Sequence, residues 1–179
     1  MSILVIAEHD NQNLSPATFN TISASKKIGS DIDILVAGSG CADIGKQSSQ
    51  IPDVKSVLVA DSEEYKDFVA ENLSALIISL SKDYTHIIAP STTTGKNFMP
   101  RVAALLDVMQ ISDIIKVIDE TTFQRPIYAG NALSTVKSND KIKIITVRTT
   151  AFEACLDTGG NAEIKSINGT GETDKSKFI

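Results

Sequence analysis

Short apolar runs alternate with helix-like segments along most of this chain, and this alternation restricts the possible fold more than any other feature. The runs are continuously apolar, as expected of strands buried on both faces of a sheet. Five strands are predicted, at Ile3–Ala7, Ile32–Ala37, Val54–Ala60, Thr85–Ala89 and Ser112–Val117. Because crossovers between parallel strands are right-handed, the pattern predicts a three-layer α/β fold. Its mainly parallel sheet has the order 3-2-1-4-5 and is flanked by helices.

Helix signals fill the intervals between these strands. Ser15 followed by Pro16 predicts a helix start, and Gly29 predicts its end. A weaker helix is predicted from about Ala42 to Gln50. The next begins after Ser62, with apolar residues at helical spacing along one face: Val69, Leu73, Leu76, Ile77 and Leu80.

A fourth helix is predicted from about Asn97 to Asp107, which places Pro100 in its first turn, where no hydrogen bond is lost. An earlier start, at Gly95, would place Pro100 in the interior and predict a kink. The pattern then changes: three further strands are predicted without helices between them, at Thr122–Ala129, Ala132–Lys137 and Lys143–Arg148. We expect them to form an antiparallel addition to the sheet.

Residues 157–179 differ in composition, with four glycines mixed among polar residues. We predict that they form a linker or loose tail outside the core, so that the α/β domain comprises residues 1–156. The chain has a net charge of −5 and no basic run, which argues against nucleic-acid binding. It has no apolar stretch of about 20 residues and no signal-like start, so we expect a cytoplasmic protein without membrane insertion.

The segment Ala89–Arg101 is the principal candidate for a ligand site, because it follows one predicted strand and precedes a helix. A Walker-type phosphate loop would need Gly and Ser or Thr where the chain has Pro90 and Asn97. Anion binding remains one interpretation, through hydroxyl, amide and ammonium groups ahead of a helix. Helix capping by the hydroxyls is the alternative. The candidate residues are Thr92, Thr93, Thr94, Gly95, Lys96 and Asn97.

Other chemically active side chains are scattered. Glu8, His9 and Asp10 could act in acid–base chemistry, but adjacent loop residues need not converge, so a solvated loop or subunit contact is favoured. We expect His86 to be a satisfied core residue and Arg101 to form a structural ion pair with Asp113. No catalytic set and no metal site is predicted.

The two cysteines lie far apart in the sequence, so Cys41 and Cys155 do not have the spacing of a metal-ligand pair. Both are expected to stay reduced, as in cytoplasmic proteins. Cys41 follows Gly38-Ser39-Gly40, which we interpret as a tight turn in preference to an anion nest. No residue pattern supplies a base for Cys41, so an inert thiol is favoured.

Several ordered motifs resemble the electron transfer flavoprotein alpha subunit, over residues 3 to about 155. The motifs are Val5-Ile-Ala-Glu-His9, Leu35-Val-Ala-Gly-Ser-Gly-Cys41, Thr94-Gly-Lys-Asn97, Pro100-Arg-Val-Ala-Ala104, Gln110-Ile-Ser-Asp-Ile114, Tyr128-Ala-Gly-Asn-Ala132 and Val147-Arg148. The resemblance covers the family's N-terminal domain. It implies an adenine-nucleotide-hydrolase-like fold that docks the beta subunit and has no catalytic role.

In this family, the C-terminal domain of the alpha subunit holds most of the FAD site, and AMP belongs to the beta subunit. The resemblance therefore implies no FAD on this chain alone, with FAD-contacting residues beyond Ile179. It also implies electron transfer from acyl-CoA-type flavin dehydrogenases to a quinone reductase or similar acceptor. Two other functions remain open. One is a small nucleotide- or phosphate-binding module, of stress-protein-like fold, that uses Thr92–Asn97. The other is a hydrolase that uses Glu8, His9 and Asp10.

Overall fold

The computed structural model describes residues 1–179 and contains ten strands and four α-helices. Short 3-10 segments lie at Glu63–Tyr65, Ser81–Asp83, Tyr128–Gly130 and Thr149–Ala151. In chain order the main elements are β1 (Ser2–Ile6), α1 (Pro16–Lys26), β2 (Asp31–Gly38), α2 (Ala42–Ser49), β3 (Ser56–Asp61), α3 (Ala70–Leu80), β4 (His86–Pro90), α4 (Thr93–Leu105), β5 (Gln110–Ile114), β6 (Lys116–Val117), β7 (Thr122–Ile127), β8 (Ala132–Lys137), β9 (Lys143–Val147) and β10 (Glu163–Ser166). No helix is long and apolar enough to cross a bilayer.

The main sheet has seven parallel strands in the order β10-β3-β2-β1-β4-β9-β5. The three-layer α/β prediction is confirmed, and so is the order of its first four strands. The prediction that β9 belongs to an antiparallel addition is wrong, because β9 lies parallel between β4 and β5. Ile144, Ile145 and Val147 of β9 are fully buried, which requires cover on both faces. Only β6, β7 and β8 form the antiparallel sheet.

The hydrophobic core lies in two layers, one on each face of the main sheet. Ile3 and Val5 of β1 point into the layer that contains Ile22 of α1 and Ile44 of α2. The alternate residues Leu4 and Ile6 point into the other layer, with residues of α3 and α4. This alternation follows from the two-residue period of a strand, and it places helices on both faces.

Two helix starts differ from prediction. The helix predicted after Ser62 begins only at Ala70, behind Phe68, which adopts a left-handed conformation with φ +52°. The fourth helix begins at Thr93 and not near Asn97, because the side chain of Thr92 caps it. Pro100 therefore lies inside α4, on its exposed side, where water can reach the backbone carbonyl left without a donor.

The predicted exclusion of residues 157–179 from the core is wrong. β10 extends the main sheet by pairing with β3, and Ala162 beside it is buried. The side chains of β10 are all exposed, so no hydrophobic pattern marks this edge strand. Its attachment depends on backbone hydrogen bonds, which hydropathy does not report. A link from this segment to a further domain stays a prediction.

Candidate functional site

The carboxyl edge of the sheet is the expected place for a ligand. β1 lies between β2 and β4, so the chain proceeds outward from β1 in both directions. In open α/β sheets, ligands bind beyond the strand ends at such a switch point. Here the loop after β1, which begins at Ala7, meets the turn between β4 and α4.

The two segments are joined by a hydrogen bond from the hydroxyl of Thr92 to the carboxylate of Glu8. The same Thr92 oxygen accepts a hydrogen bond of 3.2 Å from the backbone N–H of Gly95. A helix N-terminus attracts anions, because its first N–H groups lack partners and its dipole is positive there. The carboxylate of Glu8 thus lies beside the end of α4, where an external anion would otherwise be favoured.

Gly95 allows α4 to approach β4 closely. A Cβ atom at this position would overlap the backbone carbonyl oxygen of Pro90. Gly95 is buried in the first turn of α4, so its role is steric, and the turn is closed by protein atoms.

His9 fills the crevice next to Glu8. Its side chain is 7% exposed, and its ring packs edge-on against Phe68 with 5.1 Å between ring centroids. The Nδ1 atom accepts a hydrogen bond of 3.2 Å from the backbone N–H of Asn11. Burial lowers the pKa of His9 to about 4, against a smaller raising effect of the Ala37 backbone, so His9 is neutral at pH 7.

Asn11 fixes the β1 loop to its neighbours. Its side-chain oxygen accepts a hydrogen bond from the backbone N–H of Ser39 at 3.0 Å, and its amide group donates to the carbonyl of Lys66 at 3.1 Å. A Cβ atom at Gly38 would meet both Asn11 and His9. The Gly38-Ser39-Gly40 segment is therefore a turn packed under this loop, as predicted.

The space left in the crevice is about 20 Å³, lined mainly by apolar side chains that include Ile6, Phe68, Leu73 and Phe98. A single water molecule needs roughly 10–15 Å³ on this measure. This enclosed crevice is too small for a nucleotide. Next to it lies an open depression of about 360 Å³, which Glu8, His9 and Thr94 also line.

Glu8, His9 and Asp10 do not converge on a common point. Glu8 binds Thr92, whereas His9 faces Asn11 and Phe68. Asp10 is exposed and accepts hydrogen bonds from the backbone N–H groups of its own turn, including that of Asn13 at 2.6 Å. The geometry argues against the hydrolase hypothesis. A solvated loop describes the exposed Asp10 but not His9, which is buried. No group of three or more His, Cys, Asp or Glu residues is placed to hold a metal ion.

The structure places the six anion-site candidates on one helix start. Thr92 is the N-cap of α4, and Thr93, Thr94, Gly95, Lys96 and Asn97 form its first turns. Thr93, Lys96 and Asn97 are exposed. The side chain of Thr92 caps the helix, as the capping interpretation has it. Anion binding by the Thr92–Asn97 loop stays an untested alternative.

The predicted ion pair between Arg101 and Asp113 is wrong. Asp113 lies at an irregularity of β5, with φ +60°, and its carboxylate accepts a 3.0 Å hydrogen bond from Nε of Arg148. Arg101 instead pairs with Glu71 of α3, with 3.7 Å between its Nη1 atom and Oε1 of Glu71. Burial raises the pKa of Asp113, but hydrogen bonding and the charge of Arg148 outweigh burial, so the pKa lies below its usual value.

The remaining predictions for single residues agree with the structure. His86 is 2% exposed, and its ring nitrogens lie 2.7 Å from the carbonyl of Glu120 and 2.9 Å from the hydroxyl of Thr85. Cys41 is a buried free thiol, and burial raises its pKa to about 11. A thiol with so high a pKa is a poor nucleophile at pH 7.

These features define the class: a doubly wound α/β domain whose own side chains fill much of the crevice at its switch point. A family model described as "Electron transfer flavoprotein domain" matches residues 3–171. The chain therefore belongs to the electron transfer flavoprotein family, and the resemblance seen in its motifs is confirmed.

Similar proteins point to the alpha subunit. The chain is 51% identical over 179 residues to the "Electron transfer flavoprotein subunit alpha" of Pseudomonas aeruginosa, covering 100% of this chain and 58% of that protein. It is 49% identical over 173 residues to the mitochondrial alpha subunit of Dictyostelium discoideum, covering 92% of this chain and 49% of that protein. It is 42% identical over 180 residues to the alpha subunit of Paracoccus denitrificans, covering 100% of this chain and 58% of that protein. The chain thus spans about half the length of the curated relatives it matches.

Proposed function

We propose that this chain acts as the N-terminal domain of an electron transfer flavoprotein alpha subunit, as a scaffold that docks the beta subunit. Family membership supports the assignment to an electron carrier. The observation that favours a scaffold over a ligand-binding module is the occupied start of α4, where Thr92 bonds Glu8 and caps the helix and the crevice beneath keeps only about 20 Å³. In this proposal the chain contributes shape and surface, and no catalytic residue.

The proposal places FAD in the complete heterodimer of alpha and beta subunits. The relatives extend beyond the matched part, and most of the flavin site is proposed to lie in that additional segment. The donors are proposed to be acyl-CoA-type flavin dehydrogenases, with a quinone reductase or similar protein as acceptor. We also propose a cytoplasmic location.

A flavin reconstitution experiment tests this function. The chain is titrated with FAD, and flavin absorbance is measured after gel filtration. We expect a colourless protein from the chain alone. A yellow complex should form once the chain is extended by the segment its relatives carry and is mixed with the beta subunit. Stoichiometric flavin on the chain alone would overturn the proposal.

A further inference from the structure

The turn between α4 and β5 carries a small apolar surface that the rest of the chain leaves open. Leu105, in the last turn of α4, is 58% exposed, and Met109, just before β5, is 76% exposed. Both precede the start of β5, so they lie at the amino-terminal edge of the main sheet, opposite the crevice at its carboxyl edge. An open depression of about 260 Å³ lies here, with Ala104, Val108 and Met109 among its walls.

The other walls of this depression are two carboxylates, Asp107 and Asp140, and no cation lines it. Asp140 is partly satisfied, because it accepts 3.2 Å hydrogen bonds from the backbone N–H of Met109 and the hydroxyl of Ser138. Asp107 is exposed and takes part in none of the side-chain ion pairs of the chain. We call the residues that line the depression, together with Leu105, the α4-end patch.

Asp107 conflicts with the helix end that it occupies. The backbone N–H of Val108 binds the carbonyl of Ala103 at 3.1 Å, and that of Asp107 binds the next carbonyl at 3.3 Å, which is a Schellman ending. The ending needs a left-handed residue, and Asp107 has φ +55°. Glycine is the usual residue there, and a carboxylate at the negative end of a helix dipole is unfavourable. Residues that break such local rules are expected where function requires them.

The chemistry of the patch selects an occupant that is both cationic and apolar. Arginine and lysine combine an apolar stem with a charged head, which suits exposed apolar side chains next to carboxylates. Methionine, as at position 109, is adaptable and common at binding surfaces. Phosphates and acidic peptides would be repelled by the two carboxylates. A second copy of the chain is also disfavoured, because each copy has a net charge of −5.

We propose that the α4-end patch binds a segment of another protein in which an arginine or lysine is flanked by apolar side chains. Asp107 holds the cation, and Asp140 adds negative charge beside it. Leu105 and Met109 cover the apolar flank. The inference goes beyond the proposed function and does not depend on docking of the beta subunit.

The test uses two helical peptides that carry leucine along one face and differ in the charged residue beside it, which is arginine in one and glutamate in the other. Each peptide is titrated into the isotope-labelled chain, and amide shifts are followed by NMR. We expect saturable shifts at Ala104–Met109 and Asp140 with the arginine peptide and none with the glutamate peptide. Absence of saturable shifts there with the arginine peptide, or equal shifts with both peptides, would overturn the proposal.

Variants separate binding from folding. Asp107→Asn removes the charge and keeps a side chain that tolerates the left-handed region. Affinity for the arginine peptide should fall by about threefold to fivefold, as for loss of an exposed ion pair, while the unfolding temperature stays the same or rises. Leu105→Ser should weaken binding to a similar extent. The matched controls are Asp157→Asn and Leu156→Ser, at an exposed leucine–aspartate pair outside the patch, and both should leave the affinity unchanged.

Three further results would overturn the inference. The first is an Asp107→Asn chain that binds the arginine peptide as tightly as the unmodified chain or unfolds at a lower temperature. The second is a concentration-dependent dimer, seen by sedimentation, that Leu105→Ser abolishes, since it would assign the patch to a second copy. The third is protection of the Ala104–Met109 amides from exchange by bound beta subunit, which would assign the patch to that interface.

Discussion

The hydroxyl of Thr92 donates a hydrogen bond to the carboxylate of Glu8, and so joins the segments that follow β1 and β4. Thr92 also caps α4 by accepting a hydrogen bond from the backbone N–H of Gly95. One side chain therefore links the loop after β1 to the turn after β4 and caps the helix that follows.

Replacing Thr92 by Ala removes both contacts. Loss of an N-cap side chain costs about 1 kcal/mol, which corresponds to a decrease of roughly 2–4 °C in the unfolding temperature of a domain of this size. Thr93→Ala is the control, because Thr93 is exposed and does not cap the helix. The unfolding temperatures of the two variants are measured by circular dichroism. Equal temperatures for both variants would contradict the capping role of Thr92.

Gly95→Ala should be destabilising, although Ala normally stabilises a helix interior relative to Gly by roughly 0.5–1 kcal/mol. The reason is that the new Cβ atom would overlap the carbonyl oxygen of Pro90, which is backbone and cannot rotate away. We expect a loss of roughly 1–3 kcal/mol, typical of overpacking. Gly29→Ala is the matched control, since its Cβ would make ordinary contacts of 3.5 Å or more. Urea unfolding gives the free energy of unfolding of each variant. A Gly95→Ala protein more stable than the unmodified one would refute the close approach of α4 to Pro90.

Acid should destabilise the fold through His9. Burial lowers its folded-state pKa to about 4, from 6.5 for the free side chain, so the unfolded chain binds more protons between these values. The stabilising contribution is fully present above about pH 6.5 and is lost as the pH falls towards 4. It amounts to something on the order of 3 kcal/mol.

Proton NMR tests this directly, because the chain has only two histidines. The ring resonances are followed from pH 8 to pH 4, and His9→Gln assigns the His9 signal by its disappearance. His86 also has a lowered pKa, mainly from burial, so neither residue should titrate near pH 6.5 while the protein is folded. A His9 midpoint near 6.5 would show that its ring is accessible to water.

The C-terminal segment should be held to the domain by Asn72. This buried side chain donates to the carbonyl of Glu64 at 3.0 Å and accepts from the backbone N–H of Thr173 at 3.0 Å and the hydroxyl of Thr173 at 2.8 Å. Asn72→Ala leaves these groups without partners, which costs about 1–3 kcal/mol. Amide exchange around Thr173 should accelerate first. The exposed Asn97→Ala is the control, and unchanged exchange in Asn72→Ala would show that the segment is held by other contacts.

The strands that sequence predicted well are the buried ones, because a continuous apolar run marks a strand covered on both faces. β1 and β4 are examples, with nearly all side chains buried. β10 was missed for the opposite reason: its own side chains are exposed, so no apolar run marks it, and it joins the sheet by backbone pairing such as that of Ile164 with Val57. The position of β9 also depended on long-range pairing, which periodicity does not encode.

In the candidate site, too, local features could be predicted from the sequence and long-range contacts could not. The capping role of Thr92 was one of two interpretations, since hydroxyl residues ahead of a helix predict a cap. Its bond to Glu8 was not predicted, because it joins segments 84 residues apart. The available signal was the predicted strand order, which places β1 beside β4 and brings the residues after them together. The true partner of Asp113 was hidden by the irregularity in β5.

The final prediction is that the start of α4 does not bind anions, and Lys96 is the residue on which to test it. We expect phosphate, AMP and ATP to leave the thermal unfolding midpoint unchanged, because the carboxylate of Glu8 already lies at this helix end and repels anions. Ligand that binds only the folded state raises stability, so even weak binding is detectable when the ligand greatly exceeds its dissociation constant. A clear upward shift that Lys96→Ala abolishes and Lys82→Ala preserves would establish an anion site at Thr92–Asn97 and favour a nucleotide-binding module over a scaffold.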